Sequence, residues 1–151
     1  MFKILFVCHG NICRSPMAEY IFRDMLKKRG VTDVVVSSAG TSSEELGNPV
    51  HRGTAGILNR LGIEFSDKRA RRMTQKDYDD FDLLIGMDTE NIRNMERFWN
   101  DKKHKIHRLL EYAGGGDISD PWYTGDFERT YRDIKKGCEG LLEYLATHTE
   151  Y

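Results

Sequence analysis

At 151 residues the chain has room for one hydrophobic core, and a single domain over residues 1–151 is expected. Its 23 Lys plus Arg balance 24 Asp plus Glu for a formal net charge of −1, which removes any global argument for a nucleic-acid or polyanion binder. With 39% hydrophobic and 11% aromatic residues the composition is that of a folded protein, and no apolar run is long enough to cross a membrane. The first segment, Met1 to Cys8, runs straight into polar residues and lacks the longer apolar stretch and small-residue cleavage site of a secretory leader. Three cysteines, an odd count, then read as reduced thiols of a cytoplasmic protein.

Taken in chain order, Lys3 to Cys8 is a short apolar run and reads as a buried strand. Ser15-Pro16 reads as the cap and first residue of a helix that carries Met17, Ile21 and Met25 at helical spacing and stops at Gly30. Val34 to Ser38 is a second strand. Asn48-Pro49 is expected to open a second helix with Ala55, Leu58 and Leu61 on one face. Lys68-Arg69-Ala70-Arg71-Arg72 reads as a solvated basic loop. Thr74 to Asp77 resembles a capping box for a short helix. Asp82 to Met87 is a third strand, Asp88 caps a helix carrying Ile92, Met95 and Trp99, and Lys105 to Leu110 is a weaker fourth strand. Asp120-Pro121 reads locally as a turn that holds Asp120 extended, with Gly114 to Gly116 upstream to let the loop adjust. The last helix carries Phe127, Tyr131, Ile134, Cys138, Leu141 and Leu145 on one stripe, so Cys138 reads as a packing residue. Strands alternating with helices imply an α/β fold with a parallel sheet, and such sheets bind ligands at the carboxyl ends of their strands.

The loop after the first strand is therefore the place to look for chemistry. It reads Cys8-His9-Gly10-Asn11-Ile12-Cys13-Arg14-Ser15: a cysteine ends a strand, five residues follow, and Arg-Ser opens a helix. Backbone N–H groups of a tight loop at a helix N-terminus converge on an anion, and Arg14 adds a planar fork of donors suited to phosphate oxygens. The field that binds phosphate also favours a thiolate, and the Ser15 hydroxyl is placed to donate to the sulfur. Gly10 and Asn11 suit a tight loop that demands positive φ. The Gly-Lys-Ser/Thr ending of a nucleotide phosphate loop is missing. Cys8, Cys13 and His9 lack the second ligand pair that a metal site needs. No cofactor or metal is expected.

The run Val7 to Glu19, with Cys8, Asn11, Arg14 and Ser15 at its centre, closely resembles the signature of the low-molecular-weight protein tyrosine phosphatases. Ser37-Ser38-Ala39-Gly40-Thr41, Gly47-Asn48-Pro49 and Asp120-Pro121-Trp122-Tyr123 resemble further landmarks of that family, and the likeness spans nearly the whole chain. The resemblance implies a three-layer α/β sandwich around a four-stranded parallel sheet, the flavodoxin-like phosphotyrosine phosphatase I fold. It implies hydrolysis of phosphotyrosine in protein substrates, with inorganic phosphate as product. Cys8 is then the nucleophile of a cysteinyl-phosphate intermediate, Arg14 the phosphate clamp, and Asp120 the general acid and base. Asn11 and Ser15 support the loop and the thiolate. His9, Gly10, Ile12, Cys13, Trp122 and Tyr123 line the substrate pocket. Cys13 corresponds to a second loop cysteine able to pair with Cys8 under oxidation.

Many relatives carry an aromatic residue where this chain has Glu44, which leaves one pocket wall without its ring. Phosphoarginine phosphatases of the same family typically carry threonine where Ile12 stands, so Ile12 points to tyrosine. Thioredoxin-coupled arsenate reductases need two further redox cysteines downstream, and none lies between Cys13 and Cys138. A phosphoarginine phosphatase and a non-catalytic phosphate-binding or redox module on Cys8 and Cys13 remain the alternatives. The expected enzyme is a monomer without nucleic-acid or membrane partners.

Overall fold

The first strand, β1 (Phe2–Cys8), alternates its side chains between two cores. Ile4, Phe6 and Cys8 enter one cluster while Leu5 and Val7 enter another. The computed structural model describes residues 1–65 and 67–148. β1 sits inside a four-stranded sheet of order β2-β1-β3-β4, with β2 at Val34–Gly40, β3 at Leu83–Gly86 and β4 at Ile106–Arg108. All three pairings are parallel, and Cys8 lies opposite Gly40 at the carboxyl end. Strands buried on both faces need layers above and below, which is why β1 and β3 are almost uniformly apolar.

One layer is α1 (Arg14–Lys28), α2 (Arg52–Arg60) and α6 (Phe127–Thr147). Met17, Ile21 and Phe22 from α1 meet Ile134, Cys138, Leu141 and Leu145 from α6 over Ile4 and Phe6. The other layer is α3 (Gln75–Asp80) and α4 (Thr89–Phe98), from which Tyr78 and Met95, with the adjoining Trp99, cover Leu5, Val7 and Leu84. The fold is thus the three-layer α/β sandwich expected from the sequence. No helix among the described residues is long and apolar enough to cross a membrane.

Several boundaries differ from the sequence reading, each for a local reason. α2 begins at Arg52 rather than at Pro49, because Pro49 is held in a bridge with Arg69 and His51 caps the helix with Nδ1 accepting from Gly53 N at 3.0 Å. The fourth strand ends at Arg108, and Leu109–Ala113 turns into a 3-10 helix closed by Gly114 at φ 102°. Pro121–Thr124 forms a one-turn helix, α5, capped by the Asp120 side chain, rather than a plain turn. The basic run is no solvated loop: Lys68 is buried and donates to Ser38 O at 3.0 Å, Arg71 forks onto Asp77, and Arg72 lies over the Phe98 ring.

Candidate active site

The loop between β1 and α1 is fixed from outside by its own carbonyls. The C=O groups of Cys8 and His9 accept from Thr41 N at 2.9 Å and Ser42 N at 3.1 Å. Those of Ile12 and Cys13 accept from His51 N and from Thr54 Oγ1, each at 2.9 Å. Peptide planarity then turns the N–H groups of His9, Gly10, Cys13 and Arg14 the opposite way, toward the cleft. The loop approaches β2 so closely that a Cβ on Gly40 would lie 2.7 Å from His9 O, so only glycine fits there. Asn11 takes φ 60°, as the tight loop requires, whereas Gly10 keeps an ordinary φ; its lack of a side chain instead leaves room for Glu45, whose Cγ would be 3.2 Å from an added Cβ.

Asn11 is buried and holds the loop with both ends of its amide. Oδ1 accepts from Arg71 N at 3.1 Å, while Nδ2 donates to Ser15 Oγ at 2.8 Å and to Ser38 Oγ at 3.0 Å. Because Ser15 Oγ already accepts, its own proton is free for Cys8 Sγ at 3.0 Å. Ser38 in turn donates to Glu19 Oε1 at 2.6 Å. Glu19 is balanced by Arg23, which hydrogen-bonds its other oxygen, and by Lys68 at 3.7 Å. Burial holds the Lys68 ammonium below the usual lysine range, against the pull of Glu19. A buried polar chain thus runs from the sulfur to an ion cluster behind the loop. Each unmatched group in it would cost about 1–3 kcal/mol.

Ser15 is therefore spent on the sulfur and does not cap α1. The N-cap position is Cys13, which makes no side-chain cap bond. A helix whose first amides carry no capping side chain presents them to an anion.

Arg14 is 3% exposed and is aimed from three sides. NH1 donates to Asp88 Oδ2 and to Ile118 O, both at 2.7 Å, and NH2 donates to Asp120 Oδ2 at 3.4 Å. Burial opposes the guanidinium charge, but Cys8, Asp88 and Asp120 around it outweigh burial and hold it above the ordinary arginine value. Asp88 acts twice, because its Oδ1 also accepts from Asn91 N at 2.8 Å and caps α4. Asp120 accepts from Trp122 N at 3.0 Å, which fixes its carboxylate at the start of α5.

These groups meet in a cleft of about 370 Å³ lined by Cys8, His9, Gly10, Ile12, Cys13, Arg14, Glu44, Glu45, Asp120, Trp122 and Tyr123. Cys8 and Arg14 sit on the buried floor, and Trp122 and Tyr123 stand exposed at the mouth. Every residue expected in the pocket is there, and Asn11 and Ser15 lie behind it. His51 stands outside the cleft and props it: its ring packs edge-on to Trp122 at 5.8 Å and stacks on Phe127 at 5.1 Å. Burial foremost, with Cys8 and Asp120 alongside, pushes the Cys13 thiol up to about 12, and Cys13 packs with Ile12 and Ala70. Cys138 is fully buried, and burial likewise raises its thiol. Glu19, Ser38 and Lys68 were given no role by the sequence reading. Their signal is faint, since polar residues in an apolar helix face and at a strand end are common.

The sequence profile of the low molecular weight phosphotyrosine protein phosphatases matches residues 3–150. The low molecular weight protein-tyrosine-phosphatase YfkJ of Bacillus subtilis (strain 168) is 49% identical over 149 residues, covering 94% of this chain and 94% of its own length. The low molecular weight protein-tyrosine-phosphatase PtpA of Staphylococcus aureus (strain MRSA252) is 40% identical over 148 residues, covering 97% and 95%. The crystal structure of YfkJ from Bacillus subtilis superposes with a TM-score of 0.95 at 44% identity, over 99% of this chain and 98% of that one. With a profile match over nearly its whole length and relatives this similar, the chain belongs to the low molecular weight protein tyrosine phosphatases and is an enzyme of that family.

Proposed function

We propose that the enzyme hydrolyses phosphotyrosine by way of a cysteinyl-phosphate on Cys8. The phosphoryl group enters the loop, where backbone N–H groups and the Arg14 fork hold its equatorial oxygens as charge moves through the transition state. The Cys8 thiolate attacks phosphorus in line, and the bond to the tyrosyl oxygen breaks. Asp120 in its protonated form gives its proton to the departing phenolate. In the second step Asp120, now a carboxylate, takes a proton from water. That water attacks phosphorus, and Cys8 leaves as thiolate with inorganic phosphate as the other product. Asn11 and Ser15 keep the loop open and the sulfur oriented. Ile12, Trp122 and Tyr123 flank the substrate ring, with His9, Gly10 and Cys13 completing the wall.

The observation that carries this reading is the convergence on one floor of Cys8 Sγ, held 3.0 Å from Ser15 Oγ, and of Arg14, held 3.4 Å from the Asp120 carboxylate. The apolar and aromatic wall supports a flat aryl ester over an aliphatic one. The test is phosphate release from matched phosphotyrosine, phosphoserine and phosphoarginine substrates between about pH 5 and 7, with Cys8→Ser as control. Cys8-dependent turnover that favours phosphotyrosine is expected. A preference for phosphoarginine keeps the chemistry and overturns the substrate, while activity that survives Cys8→Ser overturns the mechanism.

A further inference from the structure

Two charged groups that line the cleft, Glu44 and Glu45, have no part in the chemistry just described. Glu44 belongs to the segment that follows β2, and its side chain lies at the mouth with 71% of its surface in solvent. Its backbone is pinned, since Glu44 N donates to Ser42 Oγ at 3.1 Å. Its carboxylate is steered by His9, whose Nε2 stands 3.1 Å from Oε2, while Oε1 takes no hydrogen bond from the described residues. The neighbouring Glu45 is occupied differently: its Oε2 accepts from Asn48 Nδ2 at 2.6 Å. Asp120 is bound by Arg14 and Trp122 N.

Among the described residues the only basic side chains that line the cleft are Arg14 and His9, and three cations of the basic run behind it are engaged elsewhere. Lys68 is buried with Glu19, Arg71 is paired with Asp77, and Arg72 lies over Phe98. Arg14 is sealed on the floor. The cleft therefore presents an anchored, half-satisfied carboxylate at its entrance.

The proposed tyrosine chemistry, on which this inference rests, fixes the orientation of a substrate. With phosphate on the floor and the ring between the walls, the peptide backbone must leave through the mouth. Residues flanking the phosphotyrosine then pass the rim that Glu44 occupies. We infer that Glu44 is a specificity-determining residue, and that it selects phosphotyrosine segments carrying Lys or Arg beside the modified residue. A long basic side chain reaches Oε1 without disturbing the phosphate, and an acidic one meets like charge. An exposed pair of this kind is weak, so a preference of about two- to fivefold is the scale to look for.

The experiment is a set of phosphotyrosine peptides identical except for Lys, Gln or Glu at each position flanking the phosphotyrosine, assayed for kcat/KM at low and high salt. Three proteins are compared: the wild type, Glu44→Gln and Glu44→Lys. The readout is the Lys-to-Glu peptide ratio within each protein, so a general change in turnover cancels. The wild type is expected to favour the Lys peptide, less so at high salt. Glu44→Gln should level the ratio and Glu44→Lys should invert it. A wild-type ratio at or below one, or a ratio unchanged in Glu44→Lys, overturns the inference. The Gln peptide reports the underlying reading separately. If it turns over in a Cys8-dependent way while the ratios stay flat, only the role of Glu44 fails; if no peptide turns over, the tyrosine reading falls and this inference with it.

Discussion

Ser15 shows how one hydroxyl is diverted from structure to chemistry. Its place before Pro16 is that of a helix cap, yet its oxygen accepts from Asn11 Nδ2, which leaves its proton available to Cys8 Sγ 3.0 Å away. A hydrogen bond to a charged acceptor is worth about 1.5–3 kcal/mol, so Ser15→Ala should lower kcat/KM roughly 10- to 100-fold. Measuring phosphate affinity alongside separates the causes: a local loss leaves phosphate binding within a few fold, and collapse of the loop abolishes it. Cys8, Arg14 and Ser15 were legible in the sequence because one continuous loop carries them between a strand and a helix. Asp120 was not legible from its own neighbours, where Asp-Pro reads as a turn; only the family resemblance gave it a role, and only folding brings it within 3.4 Å of Arg14. Glu19, Ser38 and Lys68 were silent for the same reason, since their meaning lies in contacts across the fold.

At the scale of elements, polar side chains tie down the turns that the hydrophobic pattern leaves unspecified. Asp101 gathers the backbone N–H groups of Lys105 at 2.8 Å and Ile106 at 3.0 Å, together with the Tyr78 hydroxyl, and so delivers the chain into β4. Burial opposes its charge, but these donors outweigh burial and hold the carboxyl below its ordinary value. Asp77, in the capping box of α3, is depressed in the same way: Arg71 and Thr74 outweigh its burial. Asp117 follows with Arg108 and Thr89. A carboxyl with a lowered folded-state pKa stabilises above its unfolded value of about 3.9 and loses that contribution as pH falls through the folded value. These groups should therefore leave the melting temperature level above about pH 5 and lower it progressively below about pH 4. Asp101→Asn should shallow that decline, as thermal melts across the acid range would show. The capping box at Thr74 and the cap at Asp88 were readable from sequence, because Thr and Asp are ordinary cap residues. The start of α2 was not, because His51 caps with a ring nitrogen and Pro49 is drawn into a bridge.

Across the whole molecule, the cleft is where separate parts of the sandwich are joined. Arg14 starts a helix of one layer, Asp88 caps a helix of the other, and Ile118 and Asp120 belong to the segment that leads back into the first. An anion held by Arg14 and the loop amides binds only the assembled state, so it stabilises by mass action. Phosphate at about 100 times its dissociation constant should add about 2.7 kcal/mol, or roughly 5–10 °C in melting temperature. Arg14→Lys keeps the charge but loses the fork, and should remove most of that shift in a thermal melt with and without phosphate. The parallel sheet and its two layers were visible in the alternation of apolar strands with amphipathic helices. Which helix covers which face was not, because both layers draw on similar aliphatic residues and the choice is made by packing.

The two tryptophans divide the protein optically. Trp99 is buried in the core beside Met95, on the face of the sheet away from α1 and α6, while Trp122 is 57% exposed at the mouth of the cleft. An indole in a dry interior emits at shorter wavelength than one in water, so the fluorescence band has two separable parts. The red part belongs to the entrance and responds when the cleft is occupied. The blue part belongs to the core and persists until the chain unfolds. Occupancy and unfolding can thus be followed in one sample, without a dye or a label.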